Sequence, residues 1–454
     1  MAAAWRRHDL PWRDPWTVVQ ALAEAWGPEG LVWLDGQRGG LGGVSRLGVA
    51  PREQRLCRGL PGDPDAQDPF EALEAMAAAG GHWMGWLAYE AGAWVEPAPH
   101  WRRPAQATLW AARHDPVLHV DPEERQLWLE GSDSGALETI AAQVRALAEP
   151  GGTEAGDGTP GDVDPAAPGW RSPLALEAWH WHTTPEAFAR QVEQIRAWIA
   201  AGDLFQANLT ACCEQTLAEP PPLLAHYGRL RRACPAPFAG LAIAGAGARG
   251  EAVLSASPER FLQLDPEGWV ETRPIKGTRP RHPDPAADAD AAAELVSSPK
   301  DRAENVMIVD LLRNDLGRVC RPGSIWVPQL VGLESYAQVH HLTSVVRGQL
   351  REGLGVADLL RACWPGGSIT GAPKIRACAR LAALEPVARG PYCGSLFRLG
   401  PDGSFDSSIL IRSAFVHGRT IRVQAGCGIV ADSEPAAEAE ELGWKLQPLL
   451  EALA

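Results

Sequence analysis

Hydrophobic and polar residues alternate with two different periods in the N-terminal third of the chain. Residues 14–25 and 69–79 carry apolar side chains every three to four positions, which predicts two amphipathic helices. Residues 30–34, 44–49 and 83–89 alternate, or run apolar between turn residues, as strands do. This part of the chain is therefore expected to mix helices with strands.

The C-terminal part shows the same mixture with longer elements. Thr183 and Glu186 form a capping-box pattern at the start of a helix predicted to run to about Ala201. Two further helices are predicted over about 301–319 and 435–450. Strand-like patterns cover six segments: 204–212, 253–264, 269–275, 395–399, 408–415 and 420–425. Because strands and helices do not alternate regularly, the pattern predicts an α+β fold rather than a βαβ series.

Residues 149–169 separate these two parts and are rich in Pro, Gly, Asp and Ala without an apolar period. That composition is typical of a linker or an exposed loop. At 454 residues the chain exceeds a usual single core. We therefore predict an N-terminal region over 1–148, a linker over 149–170 and a second domain over 171–454. A similar stretch, 283–294, is expected to be exposed.

Composition excludes several classes of partner. The net charge of −14 disfavours nucleic acid as the main partner, although a local basic site for a small anion remains compatible with it. No apolar run reaches the roughly 18–20 residues that span a bilayer, and the N-terminus lacks the apolar centre of a signal peptide. The nine cysteines have no paired metal-site spacing, so reduced and mostly buried thiols are expected. A cytoplasmic protein with no membrane partner is the prediction.

The segment 272–281 places one lysine, Lys276, among three arginines and between two prolines. Permanently charged arginines would favour the neutral amine and lower the pKa of this lysine. A neutral lysine on a rigid, basic segment is a candidate nucleophile, and the arginines would suit a substrate rich in carboxylates. A basic surface turn is the alternative that this segment alone leaves open.

Two predicted helices carry carboxylates on partly apolar faces. Asp301 and Glu304 lie one turn apart on the first helix. Glu438 and Glu441 lie in the same way on the second, one turn before Lys445. Four acids on two helices would suit a hard divalent cation such as Mg²⁺. The alternatives are acids that stabilise a helix N-terminus and a surface Glu441–Lys445 ion pair.

Three further segments carry candidate ligand-binding residues. The glycine-rich loop 364–374 can aim backbone N–H groups at an anion, and Gly426 and Gly428 allow a ligand to approach the backbone. His341 is either a packed core residue or a catalyst. Glu259, next to an arginine at the end of a strand, is either a salt-bridge partner or a general acid.

Taken in order, these motifs resemble the chorismate-utilising enzyme family. The matching segments cover essentially all of residues 183–447: SPERF at 257–261, PIKGT at 274–278, DRAEN at 301–305, IVDL at 308–311, RND at 313–315, HHL at 340–342, PGGSITGAPK at 365–374, IR at 411–412 and AGCGIVADS at 425–433. Their joint order is highly specific, whereas the N-terminal region matches more loosely. The resemblance implies an anthranilate synthase component I-like fold, with antiparallel sheets in a sandwich flanked by helices and a chorismate-binding catalytic domain over 171–454.

Two positions indicate the branch of that family. Anthranilate synthase large subunits usually carry alanine at the position of Lys276. Isochorismate and salicylate synthases use a lysine base where this chain has Gln206, and an amide cannot activate water in that way. The chain is therefore most similar to the large subunits that convert chorismate to 4-amino-4-deoxychorismate in 4-aminobenzoate and folate synthesis.

The resemblance implies a catalytic role for three residues. Lys276 would attack C2 of chorismate while Glu259 protonates the departing C4 hydroxyl, with His341 in support. Ammonia would then attack C4 and displace the lysine. The substrate would also contact eight residues: Gly277, Thr278, Ser368, Tyr392, Arg412, Gly426, Gly428 and Lys445. Of these, the enolpyruvyl carboxylate would be held by Arg412, Tyr392, Gly426, Gly428 and Lys445.

The resemblance also implies a cofactor and partners. Mg²⁺ would be held by Glu304 and Glu441, with Glu438 and Asp301 acting through waters. Ammonia would come from a separate glutamine amidotransferase subunit or from solution. Residues 234–238 lie where anthranilate synthases build part of a tryptophan pocket, so bound tryptophan stays open. The alternative functions are anthranilate synthase component I and a non-catalytic chorismate- or tryptophan-binding regulator.

Overall fold

The computed structural model describes residues 5–36, 43–148, 179–245, 247–336 and 339–453. The helices in these ranges are α1 Pro15–Trp26, α2 Pro69–Ala79, α3 Ser134–Ala146, α4 Pro185–Ala200, α5 Leu223–Ala233, α6 Pro285–Ser297, α7 Pro299–Gly317, α8 Val356–Cys363, α9 Lys374–Leu384 and α10 Pro435–Leu453, with short 3-10 turns at Tyr89–Trp94 and Gly367–Ile369. The predicted linker, 149–170, lies outside the described residues, so the domain boundaries stay a prediction.

The strands fall into two groups along the chain. Those before residue 149 are β1 Arg6–Leu10, β2 Val32–Asp35, β3 Ser45–Gly48, β4 Glu53–Cys57, β5 His82–Leu87, β6 Leu109–His114, β7 Val117–Asp121 and β8 Gln126–Gly131. Those after it are β9 His180–Trp181, β10 Gln206–Thr216, β11 Phe238–Ile243, β12 Glu251–Ser257, β13 Arg260–Leu264, β14 Trp269–Thr272, β15 Ile275–Pro280, β16 Trp326–Ser335, β17 Val339–Gln349, β18 Gly371–Ala372, β19 Ser395–Leu399, β20 Phe405–Ile409, β21 Ser413–His417 and β22 Thr420–Ile429.

These strands form two antiparallel sheets. The first has the order β1-β8-β7-β3-β2-β11-β12-β21-β22-β10-β18, with β9 also paired to β10. The second has the order β15-β17-β14-β13-β20-β19-β5-β6-β4, with β16 also paired to β17. Both sheets combine strands from before and after residues 149–178, since β2 pairs with β11 and β5 pairs with β19.

The sheets pack face to face, and helices cover the outer face of the first one. Val32 and Val253 of the first sheet belong to a core shared with Trp86 of the second. Their chain neighbours Trp33 and Leu254 belong to another core, which includes residues of α1, α3, α4, α5 and α10. Neighbouring residues of one strand belong to different cores because successive side chains of a strand point to opposite faces of the sheet. The α+β sandwich expected from the sequence is confirmed.

Helix positions agree well with the sequence pattern because local caps set them. Thr184, rather than Thr183, caps α4 by accepting a hydrogen bond from the backbone N–H of Ala187 at 3.2 Å. The prediction missed α3, α5, α6 and α8. Of these, α6 occupies the stretch expected only to be exposed, and much of it is exposed. All nine cysteines are free thiols, as predicted. Among the described helices, none combines the length and apolar character needed to cross a membrane.

Three predicted strands were wrong in one respect, because each is two strands. The stretch 253–264 is divided between β12 in the first sheet and β13 in the second. The stretch 408–415 is divided in the same way between β20 and β21. The stretch 269–275 is interrupted before Ile275, where β15 begins and continues along the same side of β17 as β14. All three breaks lie next to predicted site residues.

Candidate active site

The chain passes twice between the two sheets at one place, and hydrogen bonds join the two crossings. The Ser257 hydroxyl donates to the carbonyl oxygen of Ile409 at 2.6 Å, and the Ile409 N–H donates to the carbonyl oxygen of Glu259 at 3.1 Å. The Ala256 N–H donates to the carbonyl oxygen of Arg412 at 3.0 Å. Arg412 has φ +50°, a left-handed conformation at the point where the chain turns into β21. These contacts fix Glu259 and Arg412 between the sheets.

Lys276 reaches a backbone oxygen of the glycine-rich loop. Its Nζ donates to the carbonyl oxygen of Ser368 at 3.3 Å. The register between β15 and β17 shifts between Ile275 and Thr278, which makes an irregular step in the ladder at the lysine. Gly277 has φ +84°, and a Cβ there would lie 2.8 Å from Leu295 of α6. Glycine is therefore needed where β15 bends past α6.

The three arginines near Lys276 are all paired with carboxylates. The pairs, with N–O distances, are Arg273–Glu334 at 2.6 Å, Arg273–Glu271 at 3.4 Å, Arg279–Glu294 at 3.0 Å, Arg279–Asp301 at 3.5 Å and Arg281–Asp288 at 2.8 Å. The sequence-based prediction that these arginines lower the pKa of Lys276 and suit a carboxylate-rich substrate did not include these partners. The acids of α6, α7 and β16 come close through tertiary folding, whereas Glu271 of β14 lies two residues before Arg273 in the sequence.

Glu259 is a buried carboxyl beside the lysine. It is 5% exposed, and burial raises its pKa to about 7, although the Ser368 side chain, the Lys276 ammonium and a backbone hydrogen bond from Ile275 oppose that rise. A carboxyl with this pKa keeps its proton in a substantial fraction of molecules at neutral pH. It therefore meets the requirement for a general acid.

His341 is neutral near physiological pH. Burial, followed by the Arg412 guanidinium, lowers its pKa to about 4. Its Nδ1 lies 2.8 Å from the Thr278 hydroxyl, across the β15–β17 pair. A neutral imidazole with one nitrogen fixed in this way can orient a partner by hydrogen bonding but carries no charge.

The acids of α7 and α10 face the same space. The pKa of the Glu304 carboxyl lies above its ordinary value, because burial and the nearby Asp301 and Glu438 outweigh the Lys276 and Lys300 ammonium groups. Lys300 Nζ donates to Glu438 Oε1 at 3.5 Å and joins the two helices. Lys300, four residues before Glu304, was not singled out from the sequence, although this i, i+4 spacing on a helix was the available signal.

Glu438, Glu441 and Cys427 form a compact group on α10 and β22. One ligand atom from each lies within 4.8 Å of the others. Glu438 is 4% exposed and accepts from the Ser433 hydroxyl at 2.7 Å, which explains a carboxylate beside leucines. Burial would raise the pKa of Glu441, but the ammonium of Lys445 at 2.7 Å outweighs it and holds that pKa below its ordinary value.

Carboxylate oxygens supply the chemistry that Mg²⁺ prefers. Buried acids that raise one another's pKa values are stabilised by a cation placed between them. Glu304 and Glu441 could bind such an ion, and Glu438 could act through its Ser433-oriented carboxylate. Asp301 is 3.5 Å from Arg279, so its charge is partly compensated. The donor set fits magnesium.

Gly428 lies next to both Lys276 and Glu304. A Cβ at this position would lie 3.6 Å from Lys276 Nζ, 3.6 Å from Glu304 Oε2 and 2.5 Å from Gln206 Nε2. Gly426 has a different reason to be small, because a Cβ there would lie 2.7 Å from the carbonyl oxygen of Leu209 on the neighbouring strand. The structure therefore places Lys276, Glu304, Gln206 and Gly428 in one cluster.

The residues predicted to bind a substrate carboxylate differ in whether they already have partners in the protein. The Arg412 guanidinium makes no hydrogen bond or ion pair to any residue that the structure describes, which suits an anionic ligand. Lys445 donates to the carbonyl oxygen of Gly426 at 2.9 Å and pairs with Glu441. Tyr392 is 2% exposed and packs edge-on against Phe415. Substrate contacts of Tyr392 and Lys445 stay predictions.

A cavity beside the glycine-rich loop is a separate space from this cluster. Its volume is about 390 Å³, and it lies beside the glycine-rich loop, between Trp101, Leu311 and Trp364. At its polar end Lys374 pairs with Asp315 at 2.6 Å. Neither Lys276 nor Glu304 lines it. Lys374 of the glycine-rich loop therefore forms an internal ion pair.

Comparisons with known proteins identify the family of this chain. A family model described as chorismate binding enzyme matches residues 50–451. Aminodeoxychorismate synthase component 1 from Klebsiella aerogenes is 46% identical over 276 residues, which is 61% of this chain and 60% of that protein. The chain thus spans about 60% of the length of the first curated relatives it matches.

Other relatives match over more of the chain. Anthranilate synthase component 1 from Streptomyces coelicolor is 36% identical over 462 residues, 97% of this chain and 87% of that protein. The crystal structure of anthranilate synthase component I from Streptococcus pneumoniae superposes with a TM-score of 0.72 at 26% identity, and covers 92% of this chain and 93% of that one. The resemblance seen in the sequence motifs is confirmed.

Proposed function

This chain belongs to the chorismate binding enzyme family, and from that premise we propose that it aminates chorismate to 4-amino-4-deoxychorismate. The relatives that are named aminodeoxychorismate synthase component 1 and are 43–46% identical support the proposal. Because they match over about 60% of their length, the substrate and the partner are part of the proposal. The placement of the product in 4-aminobenzoate and folate synthesis is also part of the proposal.

One arrangement carries the proposal. Lys276 and Glu259 both lie against Ser368: the lysine donates to its carbonyl oxygen at 3.3 Å, and the serine side chain is close enough to lower the pKa of the carboxyl. A nucleophile and a proton donor are thus held together on one loop residue. The paired acids of α7 and α10 lie beside them.

The proposed reaction uses the chain's own residues in two steps. The amine lone pair of Lys276 forms a bond to C2 of chorismate, the ring double bonds C1=C2 and C5=C6 shift to C1=C6 and C4=C5, and the bond from C4 to its hydroxyl breaks. Glu259 donates a proton to that leaving group, which departs as water. Ammonia then forms the bond to C4, the double bonds shift back, and the bond from C2 to Lys276 breaks. His341, held by Thr278, would support the leaving group by a hydrogen bond.

Substrate binding would use the charged groups around this pair. Arg412 would bind the enolpyruvyl carboxylate, and the hydroxyl of Thr278 and the backbone of Ser368 would line the ring. Mg²⁺ bound by Glu304 and Glu441, with Glu438 and Asp301 in support, would neutralise the ring carboxylate when present. The remaining proposed contacts are made by Gly277, Gly426, Gly428, Tyr392 and Lys445.

Ammonia needs a source, and the relatives' designation as component 1 supports a second subunit. We propose a glutamine amidotransferase subunit as that source, with dissolved ammonia as the alternative. The chemistry is that of a cytoplasmic enzyme. Bound tryptophan near residues 234–238 stays a proposal.

Anthranilate synthase activity is the second candidate, because the Streptomyces coelicolor relative matches 97% of the chain. That reaction releases pyruvate, and Lys276 distinguishes the two proposals. A lysine nucleophile has no role in direct attack by ammonia on the ring.

The decisive experiment incubates the purified chain with chorismate, Mg²⁺ and ammonium at mildly alkaline pH, and identifies the product by mass spectrometry. Lys276→Ala is compared with Lys374→Ala, which removes a lysine of the separate ion pair. An amino product that keeps its pyruvyl group and requires Lys276 supports the proposal. Anthranilate with free pyruvate assigns the chain to the second candidate. Chorismate binding without any product contradicts both and favours a regulator.

A further inference from the structure

Three side chains outside the candidate active site converge where the two sheets meet. His82 begins β5 of the second sheet, whereas His119 lies on β7 and Glu130 on β8 of the first. One donor atom from each lies within 4.8 Å of the other two. His119 Nε2 and Glu130 Oε2 are 3.3 Å apart. A tetrahedral zinc ion with bonds of roughly 2.0–2.1 Å separates its donors by about 3.4 Å, so this pair already has that spacing.

The two imidazoles have buried nitrogens without hydrogen-bond partners. His82 is 6% exposed and His119 is 4% exposed. Within the described part of the chain, no group makes a hydrogen bond to Nε2 of either ring, since the contact of His119 with Glu130 does not have hydrogen-bond geometry. Buried ring nitrogens are normally bonded to something, so both rings lack a partner at the same point.

Aromatic packing fixes the direction of both rings. The His82 and His119 rings meet edge to face with centroids 5.8 Å apart. Trp128 stacks on His119 with centroids 5.1 Å apart, and Trp5 packs edge-on against His82 at 4.8 Å. Rings held in this way lose little further freedom when they bind an ion, which favours a built site over a chance proximity.

Charged groups around the cluster determine which ion it suits. Arg46 lies opposite His119 in the β3–β7 pair, Arg398 lies on β19, and Arg7 lies over the Trp128 ring. Glu130 and Asp402 oppose these cations. Burial, followed by Arg46 and Arg398, lowers the pKa of His82 to about 4, so it would not need to lose a proton to bind an ion. Hard cations take oxygen ligands, and this cluster offers only one carboxylate beside two imidazoles.

We propose that His82, His119 and Glu130 form a binding site for a zinc-type transition-metal ion. Two neutral imidazoles and one carboxylate are a ligand set that zinc accepts, with a fourth position for water. Because the ligands come from both sheets, the ion would join them, and its role would be to stabilise the fold. The nearby arginines would weaken the affinity relative to a site without them.

The test uses the full-length chain after treatment with a chelator. Zinc is titrated in the presence of excess Mg²⁺, which occupies the carboxylates of α7 and α10, and bound zinc is counted after dialysis by elemental analysis. Glu130→Gln and His119→Asn each remove one ligand. Glu124→Gln removes the same charge from the exposed turn of the same hairpin and is the matched control.

We expect the wild-type chain and Glu124→Gln to bind one zinc ion per chain more than the two ligand variants, whose affinity should fall at least roughly 100-fold. Zinc should raise the thermal midpoint of the wild-type chain and leave that of Glu130→Gln unchanged. Equal zinc content in wild type and folded Glu130→Gln would overturn the proposal. So would zinc that is lost entirely with Cys427→Ser, because it would then reside at Cys427, Glu438 and Glu441.

Discussion

Lys276 Nζ lies 3.3 Å from the carbonyl oxygen of Ser368, and the side chain of the same serine lies close enough to Glu259 to lower the pKa of its carboxyl. The loop therefore sets the spacing between the proposed nucleophile and the proposed acid. Because Ser368 belongs to the 3-10 turn Gly367–Ile369, a shift of this one turn would move both groups together. Four predictions follow from this cluster and its surroundings.

Glu259→Gln should lower kcat by roughly 10²–10⁴-fold, because an amide cannot donate the proton that the leaving hydroxyl needs. In the wild-type chain, kcat should fall as the pH rises through about 7, where Glu259 loses its proton. Steady-state rates between pH 5.5 and 9 check both statements. A variant that keeps the wild-type rate and pH profile would remove Glu259 from the mechanism.

The same carboxyl should make stability depend on pH. Its folded pKa of about 7 lies above the ordinary value of 4.5, so the folded state holds the proton more strongly than the unfolded state. That contribution is fully present below about pH 4.5 and is lost as the pH rises to about 7, with an upper limit of roughly 3 kcal/mol. Glu259→Gln should therefore gain stability relative to wild type between pH 4.5 and 8. Urea unfolding of both proteins at pH 4.5 and at pH 8 measures their free energies of unfolding. If the difference between variant and wild type is the same at the two pH values, the argument is contradicted.

Gly428→Ala should inactivate the enzyme without unfolding it. The new methyl group would lie 2.5 Å from Gln206 Nε2 and 3.6 Å from both Lys276 Nζ and Glu304 Oε2, so it occupies the space where substrate and acids meet. Gly443→Ala on α10 is the matched control, because nothing lies within 4 Å of its Cβ. Alanine there should keep activity and add about 0.5–1 kcal/mol of helix stability. Activity and thermal midpoints of both variants provide the comparison.

Glu441→Gln and Glu304→Gln should weaken Mg²⁺ binding at least roughly tenfold, since each removes one carboxylate from the proposed ion site. Glu440→Gln changes the exposed neighbour of Glu441 on the same helix and should bind Mg²⁺ as the wild type does. Isothermal titration of Mg²⁺ into the metal-free protein gives the affinities of the wild type and of the three variants. Unchanged affinity in both site variants would place the ion elsewhere.

Helices were predictable from sequence because their signals are local. Pro185 and the cap at Thr184 start α4, and Ser298 caps α7 by accepting from the backbone N–H of Asp301. The strands at the site were predicted as continuous because β12 and β13 share one apolar pattern. The alternation of apolar and polar residues along a strand does not show where the chain leaves one sheet and enters another.

Tertiary pairing limited the site prediction in the same way. The arginines of 273–281 look like free charge in the sequence, yet Glu334, Glu294 and Asp288 lie far from them along the chain or on an unforeseen helix. The pairing of Glu304 with Glu441 came from the family resemblance rather than from the spacing. In the structure both carboxyls interact with the Lys276 and Lys300 ammonium groups, and their role as metal ligands stays a prediction. Lys300 completes that cluster and was missed.

Because both sheets pair strands from either side of residues 149–178, neither part can complete a sheet alone. A chain cut within that segment would give two fragments with open edges at β2 and β5 on one side and at β11 and β19 on the other. Each fragment would expose strand edges that pair with the other fragment, and Lys276, the proposed nucleophile, lies on the C-terminal one. We therefore expect the two fragments to complement each other, with product formed only after they associate.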